Sequence, residues 1–171
     1  MNILSVIKNF FINNLIVIIF YFLSFSSFEG IKEFSDLVIF SFNLPMIIIY
    51  FFILKFPDRL GLGHIFLGGI FNDVVIGIPL GTSSLSYLIL AFFTSYIRNA
   101  TLRSKMTAEW TTFIPTLFFS NLFYFFIINN FSHLSFFYLE LLRSTFFTFL
   151  FFPFFYFFFI NYQKSFLKDN A

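Results

Sequence analysis

Cysteine is absent from this chain of 171 residues. Disulfides, thiolate metal sites and a cysteine nucleophile are therefore excluded, and the absence carries no information on compartment. Charge is scarce too. Only 11% of the residues are charged, whereas soluble domains carry roughly 25%. So little charge cannot cover a globular surface, which points to an integral membrane protein. The formal net charge of +2 is too small to argue for nucleic acid. Alanine occurs only at Ala91, Ala100, Ala108 and Ala171. No polar stretch is long enough to link two domains, and no internal repeat is visible.

Phenylalanine is what the chain has most of, at 36 residues. An A+T-rich genome supplies Phe and Ile where another would use Leu and Ala, and this composition effect is the plain reading. An aromatic ligand path would need rings gathered around a pocket, and here they are spread along the whole chain. Six apolar runs separate along the sequence, at about 10–28, 37–54, 60–76, 82–97, 110–128 and 136–160. Each is near the roughly 20 residues that a helix needs to cross a bilayer. The expectation is an all-α integral membrane protein, one polytopic domain over 1–171, with 161–171 a short cytoplasmic tail.

The basic residues give this topology a direction. Lys8, Lys55, Arg59, Arg98, Arg103, Lys105, Lys164 and Lys168 all fall on one side of a six-span arrangement. Lys32 alone falls on the other, beside Glu29, Glu33 and Asp36. Both termini are then cytoplasmic. Tyr96 and Trp110 flank the basic loop and Tyr162 ends the last span, where interfacial aromatics belong. An alternative reads the first run as a signal peptide, with Lys8 before it and Ser24-Phe25-Ser26 as a weak cleavage site. That would leave five spans.

One carboxylate, Asp73, stands between apolar runs. An Asp at a helix centre is unfavourable by about 2.5–3.5 kcal/mol on insertion scales, so it needs partners or water. Gly69, Asp73 and Gly77 are spaced four apart and share one helix face. Glycine there lets a neighbouring helix come close. Gly77 and Gly81 permit positive φ, Pro79 fixes its own φ, and Leu80 can anchor on the bilayer edge. Thr82, Ser83 and Ser84 are N-cap candidates for the next helix. Asp73 therefore either holds a stiff hairpin together or offers it to a ligand or protein partner. A proton relay is a third option. The Gly-rich stretch is no phosphate loop, because it has no Lys.

Elsewhere the chemistry is thin. Glu140 and Arg143 lie three apart, at the spacing of an intrahelical ion pair, and Arg143 is also a candidate partner for Asp73. His64 and His133 fall at opposite faces and cannot share a metal, so no metal site is expected. Asn13, Asn14, Asn43 and Asn121 read as interhelical hydrogen-bond glue. Nucleophilic and acid–base catalysis lack their required groups. No enzyme activity and no cofactor are expected.

The run Pro57-Asp58-Arg59-Leu60-Gly61, then Gly68-Gly69-Ile70-Phe71-Asn72-Asp73, then Gly77-Ile78-Pro79-Leu80-Gly81, resembles the rod shape-determining protein MreD family. Pro45, Leu85 and Tyr87 fit the same pattern. Gly69, Asp73, Gly77, Leu80 and Gly81 match the family's hallmark residue by residue. Ile70 stands where Leu is usual, and Asp58 where Glu is common. The resemblance covers 45–96; outside it, only length, span count and topology agree.

The resemblance implies a bacterial inner-membrane component of lateral cell-wall synthesis. It would bind MreC and, through it, act with RodA, a penicillin-binding transpeptidase and MreB filaments. It also implies a fold like that of the substrate-binding S components of energy-coupling-factor vitamin transporters, and no catalysis. A vitamin-type S component is the competing function, since it shares the architecture. The first span has no Ala-x-x-x-Ala pattern for an energising partner. Co-purification separates the two: MreC supports the first, an ATPase module the second. A small enzyme of lipid metabolism is a distant third reading.

Overall fold

The computed structural model of the chain describes residues 3–25, 42–100, 105–131 and 138–167. Among these residues all regular structure is helical: α1 (Ile3–Phe25), α2 (Leu44–Lys55), α3 (Leu62–Ile76), α4 (Thr82–Ala100), α5 (Met106–Phe131) and α6 (Tyr138–Leu167). Two helical stretches are long and apolar enough to cross a membrane, Met106–Asn130 in α5 and Leu141–Asn161 in α6.

α2 is the central helix. It packs against α1, α4 and α6, and every residue from Pro45 to Ile53 is buried. A helix apolar all round belongs in such a core position. Its start is later than the hydropathy of 37–54 suggests. Phe42 and Asn43 are not helical, and 37–41 lie outside the described residues. The Asn43 side chain accepts a hydrogen bond from Met46 N at 3.2 Å. Pro45 follows in the first turn, where a missing N–H is harmless. Asn43 and Pro45, inside the apolar run 37–54, are therefore the start signal of the helix. At twelve residues, α2 is only about 18 Å long.

The other boundaries move for similar local reasons. Leu60 is buried in the loop before α3 rather than in the helix, which starts after Gly61. α4 runs on to Ala100. α5 begins at Met106, so Glu109 is a helix residue and not a loop residue. α6 continues through most of the expected tail, to Leu167.

Around α2 the helices are joined by small polar side chains and stacked rings. Ser86 of α4 and Ser120 of α5 exchange hydrogen bonds: their hydroxyls lie 2.7 Å apart, and Ser120 Oγ donates to Ser86 O at 2.8 Å. Asn121 Nδ2 donates to Thr145 Oγ1 at 2.7 Å, linking α5 to α6. Asn43 N donates to Thr148 Oγ1 at 2.8 Å, linking the start of α2 to α6. Phe113, Phe152 and Tyr50 form an aromatic centre, with centroids 4.5 to 5.5 Å apart. Pro153 lies inside α6 and cannot donate to the carbonyl four residues back. That carbonyl, Phe149 O, accepts instead from Trp110 Nε1 at 3.0 Å.

Candidate functional site

α3 ends at Gly77, which adopts φ 76°. Its N–H, and that of Ile78, return to Asp73 O at 2.9 and 3.2 Å. The chain then turns through Pro79 and Leu80 to Gly81, at φ 98°. Left-handed backbone suits glycine because it has no Cβ to clash. Thr82 closes the turn, its N–H and its hydroxyl both donating to Pro79 O, at 3.2 and 2.7 Å.

Asp73 is completely buried beneath this turn. Its Oδ2 accepts Gly81 N–H at 2.7 Å, and its Oδ1 accepts Ser83 N–H at 2.8 Å. Those donors belong to the start of α4, where backbone N–H groups have no partners within their own helix. The carboxylate of α3 thus caps α4 from outside, and its negative charge meets the positive end of the α4 dipole. Thr82, Ser83 and Ser84, expected to cap α4 themselves, do other work. Ser83 Oγ accepts from Asn72 Nδ2 at 2.9 Å, and Ser84 Oγ donates to Phe66 O at 2.9 Å.

Close approach completes the unit. A Cβ on Gly69 would lie 2.3 Å from Ser84 Cα and 2.4 Å from Ser84 N. A Cβ on Gly68 would lie 2.3 Å from the Phe20 ring, so α1 is seated on the same helix. Beside these buried contacts Leu80 stands out at the tip of the turn, 71% exposed. Gly69, Asp73, Gly77, Leu80 and Gly81, the positions that carry the resemblance, therefore come together in one hairpin, with Pro79 among them.

The structure does not bring Arg143 to this site. Both Asp73 oxygens accept backbone N–H groups, Arg143 is exposed on α6, and no ion pair joins the two. The partner of Asp73 is the end of a helix, which satisfies a carboxylate without a second buried charge. The Glu140 side chain lies outside the described residues, and so does the proposed Glu140–Arg143 pair. His64 is exposed at the start of α3, 6.1 Å between ring centroids from Tyr21. His133 and the Asn13 side chain also lie outside the described residues. Among those described, no three of His, Cys, Asp and Glu gather.

A second polar centre is not foreshadowed by any sequence motif. Glu109 is 1% exposed and forms an ion pair with Lys55 at the end of α2. Tyr50 OH donates to Glu109 O at 2.7 Å and lies 2.8 Å from Thr112 Oγ1. Lys55 Nζ also lies 5.8 Å from the centre of the Tyr156 ring. Glu109 sits in the first turn of an apolar helix, where an acid complements the dipole. The sequence signal was that first-turn position, hidden because the helix starts earlier than hydropathy suggests. Nothing in the spacing of Lys55 and Glu109 announces their pairing.

Compared with protein-family models, curated proteins and solved structures, the chain matches none.

Proposed function

We propose that this chain is a non-enzymatic component of the bacterial cell-wall elongation machinery, of the MreD kind. In this reading all six helices belong to one multi-pass bundle in the inner membrane, like the S components of vitamin transporters, with both termini cytoplasmic. The bundle binds MreC and, through it, acts with RodA, a penicillin-binding transpeptidase and MreB. The basic residues at Lys55, Arg59, Arg98 and Lys105 support the orientation. Large apolar side chains exposed along α5 and α6, such as Phe118, Leu142 and Phe154, support a lipid-facing surface. The shortness of α2 is compatible with this reading, because backbone beyond a short helix is tolerated at membrane depth where protein covers it.

One observation carries the proposal. The five hallmark positions are scattered over 69–81, yet each has a physical task in a single hairpin. Gly69 admits Ser84, Asp73 caps α4, Gly77 and Gly81 take positive φ, and Leu80 is presented outward. A buried carboxylate saturated by backbone suits a scaffold better than a catalyst.

Depletion of the protein in a rod-shaped host tests the proposal. Cells are expected to round up, and affinity-purified protein is expected to carry MreC. Unchanged rods, or co-purification with an ATPase module in place of MreC, would overturn it.

A further inference from the structure

Pro115 divides α5, and sharp bends in helices arise at proline. The two halves of the helix rest on different neighbours. Before Pro115, Glu109 pairs with Lys55, and its carbonyl accepts from Tyr50 OH at 2.7 Å, both groups belonging to α2. The Phe113 ring touches Tyr50 and Phe152, with centroids 4.5 and 4.7 Å away. Trp110 Nε1 donates to Phe149 O of α6 at 3.0 Å. After Pro115, Ser120 and Phe119 join α4: the Ser86 hydroxyl is 2.7 Å away and the Phe93 ring centroid 5.1 Å away. The first half is thus tied to α2 and the second to α4, with a proline between them.

The Lys55–Glu109 pair lies toward the free end of the first half. Glu109 is buried and Lys55 only partly so. Taking the cation from such a pair strands a buried charge, which is far more unfavourable than replacing both members by apolar groups. Here the stranded charge has somewhere to go. Lys105, Thr107 and Ala108 are exposed beside Glu109, and an exposed lysine marks that end as aqueous. A turn about Pro115 moves Phe113 least, two residues from the hinge, and moves Glu109 and the residues before it most. We propose that residues 106–114 form a hinged arm whose position the Lys55–Glu109 pair sets. With the pair intact the arm lies against α2 and α6. When Glu109 loses its counter-ion, the arm swings about Pro115, brings the carboxylate to water and draws Trp110 away from Phe149 O.

Distances between pairs of nitroxide labels on the full chain in detergent, read by double electron–electron resonance, test this. The chain has no cysteine of its own, so labels go only where cysteines are placed. Ala108 is exposed on the arm, Phe118 is exposed beyond the hinge, and Phe92 on α4 is an exposed reference. Lys55→Met keeps an apolar stem and removes the charge. It is expected to shift the Ala108–Phe92 distance by about 4 Å, the displacement of a point seven residues from a hinge that turns by about 20°. The Phe118–Phe92 distance is expected to stay at its wild-type value. Adding Glu109→Gln removes the stranded charge, and adding Pro115→Ala removes the hinge; each is expected to restore the first distance. Glu109→Lys, which sets two ammonium groups against each other, is expected to shift the arm from the other side of the pair. An unmoved Ala108–Phe92 distance in Lys55→Met and Glu109→Lys would overturn the inference. So would a shift that survives Glu109→Gln or Pro115→Ala. A change in both distances would overturn it too, because the bundle would then be loosening as a whole and not turning at one proline.

Discussion

At the scale of single residues, two buried carboxylates are satisfied in opposite ways. Asp73 is saturated by backbone N–H groups, Glu109 by an ammonium. Removing Asp73 or Lys55 takes a partner from buried polar groups, and the size of the penalty differs. Asp73→Ala orphans the N–H groups of Gly81 and Ser83, and each is expected to destabilise by about 1–3 kcal/mol. Asp73→Asn keeps one acceptor and loses the charge at the helix end, so its loss of thermal stability should be smaller. Lys55→Ala leaves the Glu109 carboxylate buried without its counter-ion, a loss of about 3–5 kcal/mol. Removing Glu109 as well should recover part of that loss in a double-mutant cycle of melting temperatures. Gly69→Ala would drive a Cβ into the Ser84 backbone, and should lower the melting temperature more than Gly63→Ala, where a Cβ meets open space.

At the scale of elements, α6 is the helix whose own hydrogen bonding is interrupted. Pro153 deprives the Phe149 carbonyl of its donor, and the indole of Trp110 replaces it. The Trp110 ring also stacks on Phe149, with centroids 5.1 Å apart. Trp110→Phe keeps a ring for stacking and removes the donor, so a loss of about 1–3 kcal/mol is expected. In Pro153→Ala the helix regains its own N–H, and Trp110→Phe on that background should be nearly neutral. Additive losses in this cycle would show that the hydrogen bond does not bridge the gap. The α3–α4 hairpin is a different kind of joint. Its turn is closed by two glycines at positive φ and sealed from below by Asp73, so it has little freedom at either end.

At the scale of the whole molecule, the helical class of the described residues and the order of their six helices were legible in hydropathy alone. The hairpin was legible as well, because glycine, proline and an isolated acid leave strong local marks. Three things were not. The start of α2 was hidden because Asn43 and Pro45 sit among apolar residues, and hydropathy averages over caps. The pairing of Lys55 with Glu109 was hidden because it spans 54 positions, and no local pattern encodes such a distance. Arg143 was misplaced because charge complementarity suggested a partner for Asp73 that helix-end N–H groups supply instead. The proposed orientation can be read on intact cells, since the chain has no cysteine of its own. A single cysteine at Leu80 should react with a membrane-impermeant maleimide from outside, and one at Lys105 only after permeabilisation. The reverse pattern would invert the topology. The external cap on α4 also has a consequence for how the chain comes to be built. The group that completes the first turn of α4 is carried by α3, which is synthesised before it. In the proposed multi-pass reading, the two helices are expected to enter the bilayer as one preassembled step. Asp73→Ala should then show itself during biogenesis, as α4 left stranded and degraded, before it shows itself in the finished protein.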